Sequence, residues 1–484
     1  MKPLRRILLS LSVLSIVVVA TQSSFADDRP NFIFFITDDV SHDDLGCYGG
    51  KVVKTPNIDR MADEGMRFDN AWLTISSCSP SRCSIVTGRY PHNTGAAELH
   101  TSLPESQHMF PEALQAAGYY TVLSGKNHMG GVTKRAFTKI SGGSGPGREG
   151  DWVQILKDRP KDKPFFCWFA STDAHRDWGF NDQASRYEPA DADVPSFLVD
   201  GPVTREDLCG YYHEVERTDY FVGELRKELA AQGIADNTYI IYMADNGRPF
   251  PRCKTRLYSS GSQTPLVIAG PTVKTGTATG SLVSAIDISA TVLDLAGVEK
   301  DEAVQGVSFA PVLKDPAAKV RDFAFGEHNW HVFQAHERSV RYGKWLYIRN
   351  AFPEKQNMCV ESGPVFPSGV ELWDAHEAGT LTDAQQDIFR IPRPAEELYD
   401  TSADPDQLNN LLEADGPTPS IVDKLRGTLD LWTEQTGDTV PENITNDRED
   451  PYRKRNPKHR RGTMPGTERG ATEINHAGPV LEEK

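Results

Sequence analysis

The sequence predicts an α/β fold, with a large, mainly parallel central sheet flanked by helices and a smaller α+β domain behind it. Two observations carry this expectation. Short, continuously apolar runs alternate with helical stretches through residues 30–300, and such runs suit strands buried on both faces of a parallel sheet. From about residue 375 the chain turns polar and rich in Asp and Pro, with one further helical stretch. A length of 484 residues allows one large domain with a small companion. With 38% hydrophobic and 25% charged residues the composition is that of an ordinary globular protein, which excludes fibrous and membrane-embedded classes. A net charge of −16 excludes a general duplex-DNA binder, so no nucleic-acid partner is expected.

Residues 1–26 open with Lys2, Arg5 and Arg6, run apolar from Ile7 to Ala20 and close on Ser24-Phe25-Ala26, the pattern of a cleaved secretory signal. The alternative is an uncleaved anchor, but the apolar core is shorter than the ~20 residues that span a bilayer. Export to a secreted, periplasmic or lysosome-type compartment, without stable membrane insertion, is therefore expected. Strands are read at 32–36, 120–123, 165–169, 239–243 and 265–269, and helices at 57–64, 111–117, 205–232 and 285–296. Several of these helices close on a glycine, as at Gly65, Gly118, Gly233 and Gly297. The large domain is placed at 27–375 and the α+β domain at 376–440, with its helix at 420–432. Residues 441–484 read as a solvated, flexible tail in preference to a polyanion-contacting arm, although Arg453, Lys454, Arg455, Lys458, Arg460 and Arg461 crowd together there. Seven cysteines (Cys47, Cys78, Cys83, Cys167, Cys209, Cys253 and Cys359) leave two alternatives. Either one thiol is reactive and up to three disulfides form, or most are buried as small apolar side chains.

Two strand ends concentrate oxygen donors. Asp38-Asp39 follows the first strand and Asp245-Asn246 follows the strand at 239–243, and parallel sheets gather ligands at such carboxyl ends. Three carboxylates brought together repel unless a cation sits between them, and an all-oxygen set favours Ca²⁺, with Mg²⁺ second, over zinc. Turn chemistry explains each dipeptide alone about as well. A sharper signal is Cys78-Ser79-Pro80-Ser81-Arg82-Cys83-Ser84-Ile85-Val86-Thr87-Gly88-Arg89, where Pro80 opens a helix with Cys78 just outside its positive end, a place that favours an anion.

This run resembles the signature of the type I (formylglycine) sulfatases of the alkaline phosphatase superfamily, Cys-x-Pro-Ser-Arg followed by Thr-Gly-Arg. The resemblance implies an alkaline-phosphatase-like α/β sandwich and a hydrolase of sulfuric esters or sulfamates. It also implies that a formylglycine-generating maturation enzyme oxidises Cys78. One hydroxyl of the hydrated aldehyde attacks sulfur, and the other later expels sulfate. Asp38, Asp39, Asp245 and Asn246 carry over as ligands of a calcium ion that also meets the modified Cys78, and Arg82 as its orienting cation. Gly125-Lys126-Asn127-His128-Met129-Gly130 resembles the family's Gly-Lys-x-His-x-Gly, so Lys126 and His128 would contact sulfate and nucleophile. His175 matches the histidine facing the leaving group, and Lys254 the second proton donor or sulfate contact.

Departures have a direction. Ser259-Ser260-Gly261 replaces the usual Glu-Gly-Gly, and Asp173-Ala174-His175 lacks the usual Pro. Together with Leu99-His100, Asp245-Asn246-Gly247-Arg248 and Glu397-Leu398-Tyr399-Asp400 these features look like the heparan N-sulfatase (sulfamidase) branch, with Lys254 where the animal pattern has Arg. N-sulfoglucosamine of heparan-type glycans is the first substrate choice and sugar O-sulfate esters the second. His100, Arg248, His328 and His331 are candidate substrate contacts, loop packing being the alternative for the last two. The acidic surface fits a pocket for the end of a sulfated mono- or oligosaccharide. Competing readings are a phosphate or phosphonate ester hydrolase, a cysteine phosphatase using Cys83 and Arg89, and a glycan-binding protein with unmodified Cys78. Homo-oligomerisation stays open.

Overall fold

The computed structural model describes residues 28–413 and 419–482, so the expected signal, 1–26, lies outside the described residues. The main sheet is built from β1 (Asn31–Thr37), β2 (Met66–Phe68), β4 (Tyr120–Gly125), β5 (Lys139–Ser141), β6 (Phe165–Ala170), β7 (Thr238–Ala244), β8 (Leu266–Ala269) and β9 (Thr277–Thr279); β3 (Ala71–Trp72) pairs separately with β10 (Val283–Ser284). Its order is β5-β4-β6-β1-β7-β8-β2-β9, parallel from β5 through β7, with β8 antiparallel to both neighbours. The helices are α1 (Pro56–Asp63), α2 (Cys78–Thr87), α3 (Pro91–Thr94), α4 (Phe110–Ala116), α5 (Trp152–Asp158), α6 (Pro202–Ala231), α7 (Ser259–Ser262), α8 (Asp287–Leu295), α9 (Ala310–Lys314), α10 (Pro367–Glu377) and α11 (Ile421–Thr436).

Side chains alternate across the central strands because the strand period is two. Phe32, Phe34 and Ile36 of β1 enter one core with Ile241 and Met243, while Ile33 and Phe35 enter the opposite core with Ile240 and Tyr242. Both faces are covered, so the run is apolar throughout, as a buried parallel strand requires. Among the described residues, no helix is long and apolar enough to cross a membrane.

The second sheet begins earlier than the sequence reading places it. β11 (Phe323–His328), β12 (Glu337–Tyr342), β13 (Trp345–Asn350) and β14 (Glu396–Asp400) form an antiparallel sheet on which α11 packs. Residues 323–350 therefore belong with the small domain expected only from 376. Trp432 of α11 joins this sheet to the large domain, stacking on Phe325 at 5.0 Å and meeting Tyr90 and His92 edge-on at 5.1 and 5.2 Å. Trp432→Ala removes that joint and is expected to cost about 3–5 kcal/mol in denaturant unfolding.

The C-terminal segment is not a free tail. Arg89 closes over it, donating to Thr472 O and Ile474 O at 3.0 Å each and to Asn475 Oδ1 at 2.8 Å. Tyr90 Oη donates to Ala477 O, and Asp322 N donates to Val480 O at 2.7 Å. All seven cysteines are free thiols and six are buried, which selects the second cysteine alternative.

Candidate active site

Strands β4, β6, β1 and β7 end nearly level, because Gly125 pairs with Ala170, Ala170 with Ile36, and Thr37 with Ala244. The next residues are Lys126, Ser171, Asp38 and Asp245, so adjacent strands deliver them to one edge of the sheet. Gly125 has φ +95°, and a Cβ there would lie 1.9 Å from Ala170 O, so only glycine lets the chain turn Lys126 into the site.

Helix α2 points its first residue at this edge. It starts at Cys78 itself with Ser77 as the cap residue, two residues earlier than the Pro80 signal indicates, and all ten of its residues are buried. Gly88, at φ +67°, ends it in the left-handed conformation favoured after helices. Within this buried helix Thr87 Oγ1 donates to Cys83 O at 2.7 Å, and Ser79 Oγ accepts from His100 N at 2.8 Å.

The acids and cations expected from sequence meet here. Single ligand atoms of Asp38, Cys78 and Asp245 lie within 4.8 Å of one another, and Cys78 Sγ is 3.9 Å from Asp39 Oδ1. Lys126 pairs with Asp38, Lys254 Nζ lies 2.7 Å from Asp39 Oδ2, and Arg82 Nε lies 2.7 Å from Asp245 Oδ2. Asn246 contacts Asp39 through its amide. Glu361 stands 3.8 Å from Lys254 Nζ, a partner that no motif announced. The residues Asp39, His100 and His128 hold left-handed backbone, at φ 57°, 61° and 53°, a strain tolerated where the surroundings fix a functional geometry.

Burial and charge act against one another in this cluster. Burial opposes the charge of Asp38, but Lys126, His175, Arg82 and Lys254 outweigh it and hold that carboxyl well below its usual value. Burial pushes Asp39 up to about 7 and Asp245 up to about 6, only partly offset by their cations. The three acids thus do not ionise together easily, the state of a site short of positive charge. Asp38 Oδ1 and Asn246 Oδ1 are buried without a hydrogen-bond partner. Unclaimed oxygens beside carboxylates that resist ionising fit a hard divalent cation.

Burial also raises the Cys78 thiol well above its usual value, with Asp38 and Asp245 adding to the shift against Lys126 and Lys254. A thiol so protonated is a poor nucleophile. Cys83, inside the helix and raised to about 12 by burial, is no phosphatase nucleophile either. His128 is lowered to about 2 by burial and by Lys126 and Arg82, so its imidazole is neutral. His175 is exposed, and the neighbouring Lys254 charge holds its imidazole below the ordinary value. Removing the Arg82 guanidinium leaves Asp245 buried and unpaired. In metal-free protein, Arg82→Ala is expected to cost about 3–5 kcal/mol, measured by denaturant unfolding.

Of the substrate-contact candidates, two border the cluster. His100 Nδ1 lies 2.8 Å from His128 Nε2, and His331 Nδ1 lies 2.8 Å from Ser77 Oγ. The other two are held elsewhere. Arg248 is taken up by Asp43 at 2.5 Å and Asp44 at 3.5 Å, and His328 is buried against Glu337 at 2.9 Å. Their sequence positions adjoin site residues, but neighbouring carboxylates turn the side chains away.

A cysteine at a helix N-terminus, ringed by strand-end acids, two lysines and an arginine, is an arrangement suited to a hard cation and a tetrahedral oxyanion. The family model described as Sulfatase matches residues 30–148 and 150–298, and that described as N-sulphoglucosamine sulphohydrolase, C-terminal, matches 253–349. The chain belongs to the sulfatase family, and is a hydrolase of sulfate esters or sulfamates. It is 28% identical to human N-sulphoglucosamine sulphohydrolase over 85% of this chain and 91% of that protein. It is 27% identical to an ulvan-active sulfatase of Formosa agariphila, over 85% and 76%. Among solved structures, an enzyme in complex with its substrate D-glucosamine-2-N,6-O-disulfate superposes with TM-score 0.65 at 21% identity, covering 84% of this chain and 98% of that one. The phosphonate monoester hydrolase of Agrobacterium radiobacter gives the same TM-score at 17% identity, covering 86% and 98%. The fold is thus shared across both chemistries.

Proposed function

We propose that this sulfatase removes sulfate from sulfated saccharides, with N-sulfoglucosamine of heparan-type glycans as its substrate and Cys78, matured to formylglycine, as its nucleophile. The observation that carries the reading is the convergence of Asp38, Cys78 and Asp245 within 4.8 Å at the mouth of α2. Asp38, Asp39, Asp245 and Asn246 would hold calcium, whose positive charge lowers the cost of anionic oxygens at the site. The modified residue would supply a hydrated aldehyde, one hydroxyl for attack and one for release. Arg82 neutralises Asp245 and fixes its carboxylate. Lys126 and Lys254 offset the charge that stays on the nonbridging oxygens. His175, exposed beside Lys254, or Lys254 itself protonates the departing nitrogen or oxygen. The likeness to human N-sulphoglucosamine sulphohydrolase and the matching C-terminal family model favour the N-sulfate over O-sulfates.

The test is a panel of N- and O-sulfated glucosamine saccharides run beside phosphate and phosphonate esters. Sulfate release highest from glucosamine N-sulfate is the expected result. Preference for a 6-O-sulfate contradicts the substrate choice, and faster phosphonate hydrolysis contradicts the reaction.

A further inference from the structure

We propose that the C-terminal strap, residues 445–461, binds the polyanionic part of a sulfated oligosaccharide that continues beyond the sugar held at Cys78. The inference rests on the sulfated-glycan reading above, and the strap lies outside both matched family segments.

Between 447 and 461 the chain carries seven basic and three acidic residues, in a protein of net charge −16. The strap folds back on itself: Asn456 N donates to Arg448 O at 2.8 Å, and the backbones of Glu449 and Arg455 pair as an antiparallel β-bridge. Its acids are engaged within the fold. Asp447 accepts from Gln334 N at 2.6 Å, Asp450 accepts from Tyr452 N and Lys454 N at 2.9 Å each, and Glu449 lies 3.5 Å from Arg453 Nε. Lys454, Arg455, Lys458 and Arg460 are exposed, with no carboxylate partner among the described residues. The strap's charge therefore faces solvent as positive.

The strap is fastened to the two segments that flank the mouth of the site. Trp330 Nε1 donates to Asn446 O at 2.9 Å, and its ring lies against His459 at 5.6 Å and under the Arg461 guanidinium at 4.2 Å. The residue after Trp330 is His331, which touches Ser77. Arg461 also holds Glu98 at 2.9 Å and Leu99 O at 2.6 Å, just before His100. Burial, then Arg448 and Arg461 from the strap and Lys126 and Lys254 from the site, keep the His100 imidazole below its ordinary value, so both sets of cations act on one ring. A groove of about 490 Å³ is lined by Phe333, Met358 and Ile391, by Lys454 and Arg455, and by Glu354 and the strap's three engaged acids. Apolar walls suit sugar faces, and lysine and arginine suit sulfates, which guanidinium groups bind through paired hydrogen bonds.

The test compares the full chain with a K454Q/R455Q/K458Q/R460Q variant on a heparan-type tetrasaccharide and on the matching monosaccharide sulfate. The ratio of kcat/KM between tetrasaccharide and monosaccharide is expected to fall on the order of tenfold or more, through KM, with a shallower salt dependence for the tetrasaccharide. An unchanged ratio and salt slope overturn the proposal. Calorimetric binding of the same tetrasaccharide to Cys78→Ala protein, with and without the four substitutions, needs no turnover. Equal affinity in both proteins overturns the strap's role. Affinity lost with the four charges, while neither saccharide is hydrolysed by the parent protein, supports the strap and contradicts the function reading instead.

Discussion

Cys78→Ala is expected to lower kcat for sulfate release by about 10⁴-fold or more, roughly 5.5 kcal/mol of barrier. The fold is expected to survive the change, because among the described residues the thiol makes one weak hydrogen bond, to Asp39 at 3.9 Å, and its loss costs about 1 kcal/mol. Steady-state assay and thermal unfolding of one preparation separate the two effects. On the proposed mechanism Cys78→Ser keeps one hydroxyl but lacks the second that would expel sulfate, so a sulfated serine is expected to accumulate and turnover to stop after one cycle. Protein made in a host without the maturation enzyme should behave like the alanine variant. Its intact thiol would be detected in the mass of the peptide spanning Cys78. Full activity with that thiol intact would overturn the nucleophile assignment, whose physical basis is that burial and Asp38 and Asp245 keep the thiol protonated.

The second large effect is on removing the divalent cation. Chelation is expected to abolish activity and to lower Tm, and the loss of Tm should be greater at pH 8 than at pH 6. The sign follows from the acids. Without the cation, Asp39 titrates at about 7 and Asp245 at about 6, both above their unfolded value near 3.8. A raised carboxyl pKa means the folded chain binds protons more tightly, so metal-free stability falls as pH rises from the unfolded value through 6 and 7. A divalent cation held by these acids would compete with those protons, so its affinity is expected to rise over the same window. Scanning calorimetry with and without chelator at the two pH values reads this directly. A Tm difference that shrinks towards pH 8 would contradict the assignment of these acids as ligands.

Much of the large domain was legible because its strands are buried on both faces and therefore apolar without interruption. The site was legible because strand ends and a helix start are local features of sequence, and because the Cys78–Arg89 run is distinctive. What escaped reading was polar but buried. Strand β12, Glu-Arg-Ser-Val-Arg-Tyr, looks solvated, yet Glu337 pairs with Arg393, Arg338 lies 2.6 Å from Asp438, and Arg341 covers the Trp72 ring at 3.2 Å. Each partner is distant in the chain, so charge alone misplaced the second domain's start. The same holds for the C-terminal segment: Arg89 reaches the carbonyls of Thr472 and Ile474, and Arg461 reaches that of Leu99, contacts that no spacing encodes. Arg248 and His328 lie apart from the cluster for the converse reason, since Asp43 and Glu337 claim them.

The most direct measurement is anomalous diffraction from crystals of the matured protein equilibrated with a calcium-site substitute such as Mn²⁺. The account predicts one strong peak bounded by Asp38, Asp39, Asp245 and Asn246, at about 2.0–2.6 Å from their oxygens and beside residue 78. Fully occupied metal elsewhere in the molecule, with those four side chains paired only to lysine and arginine, would contradict it.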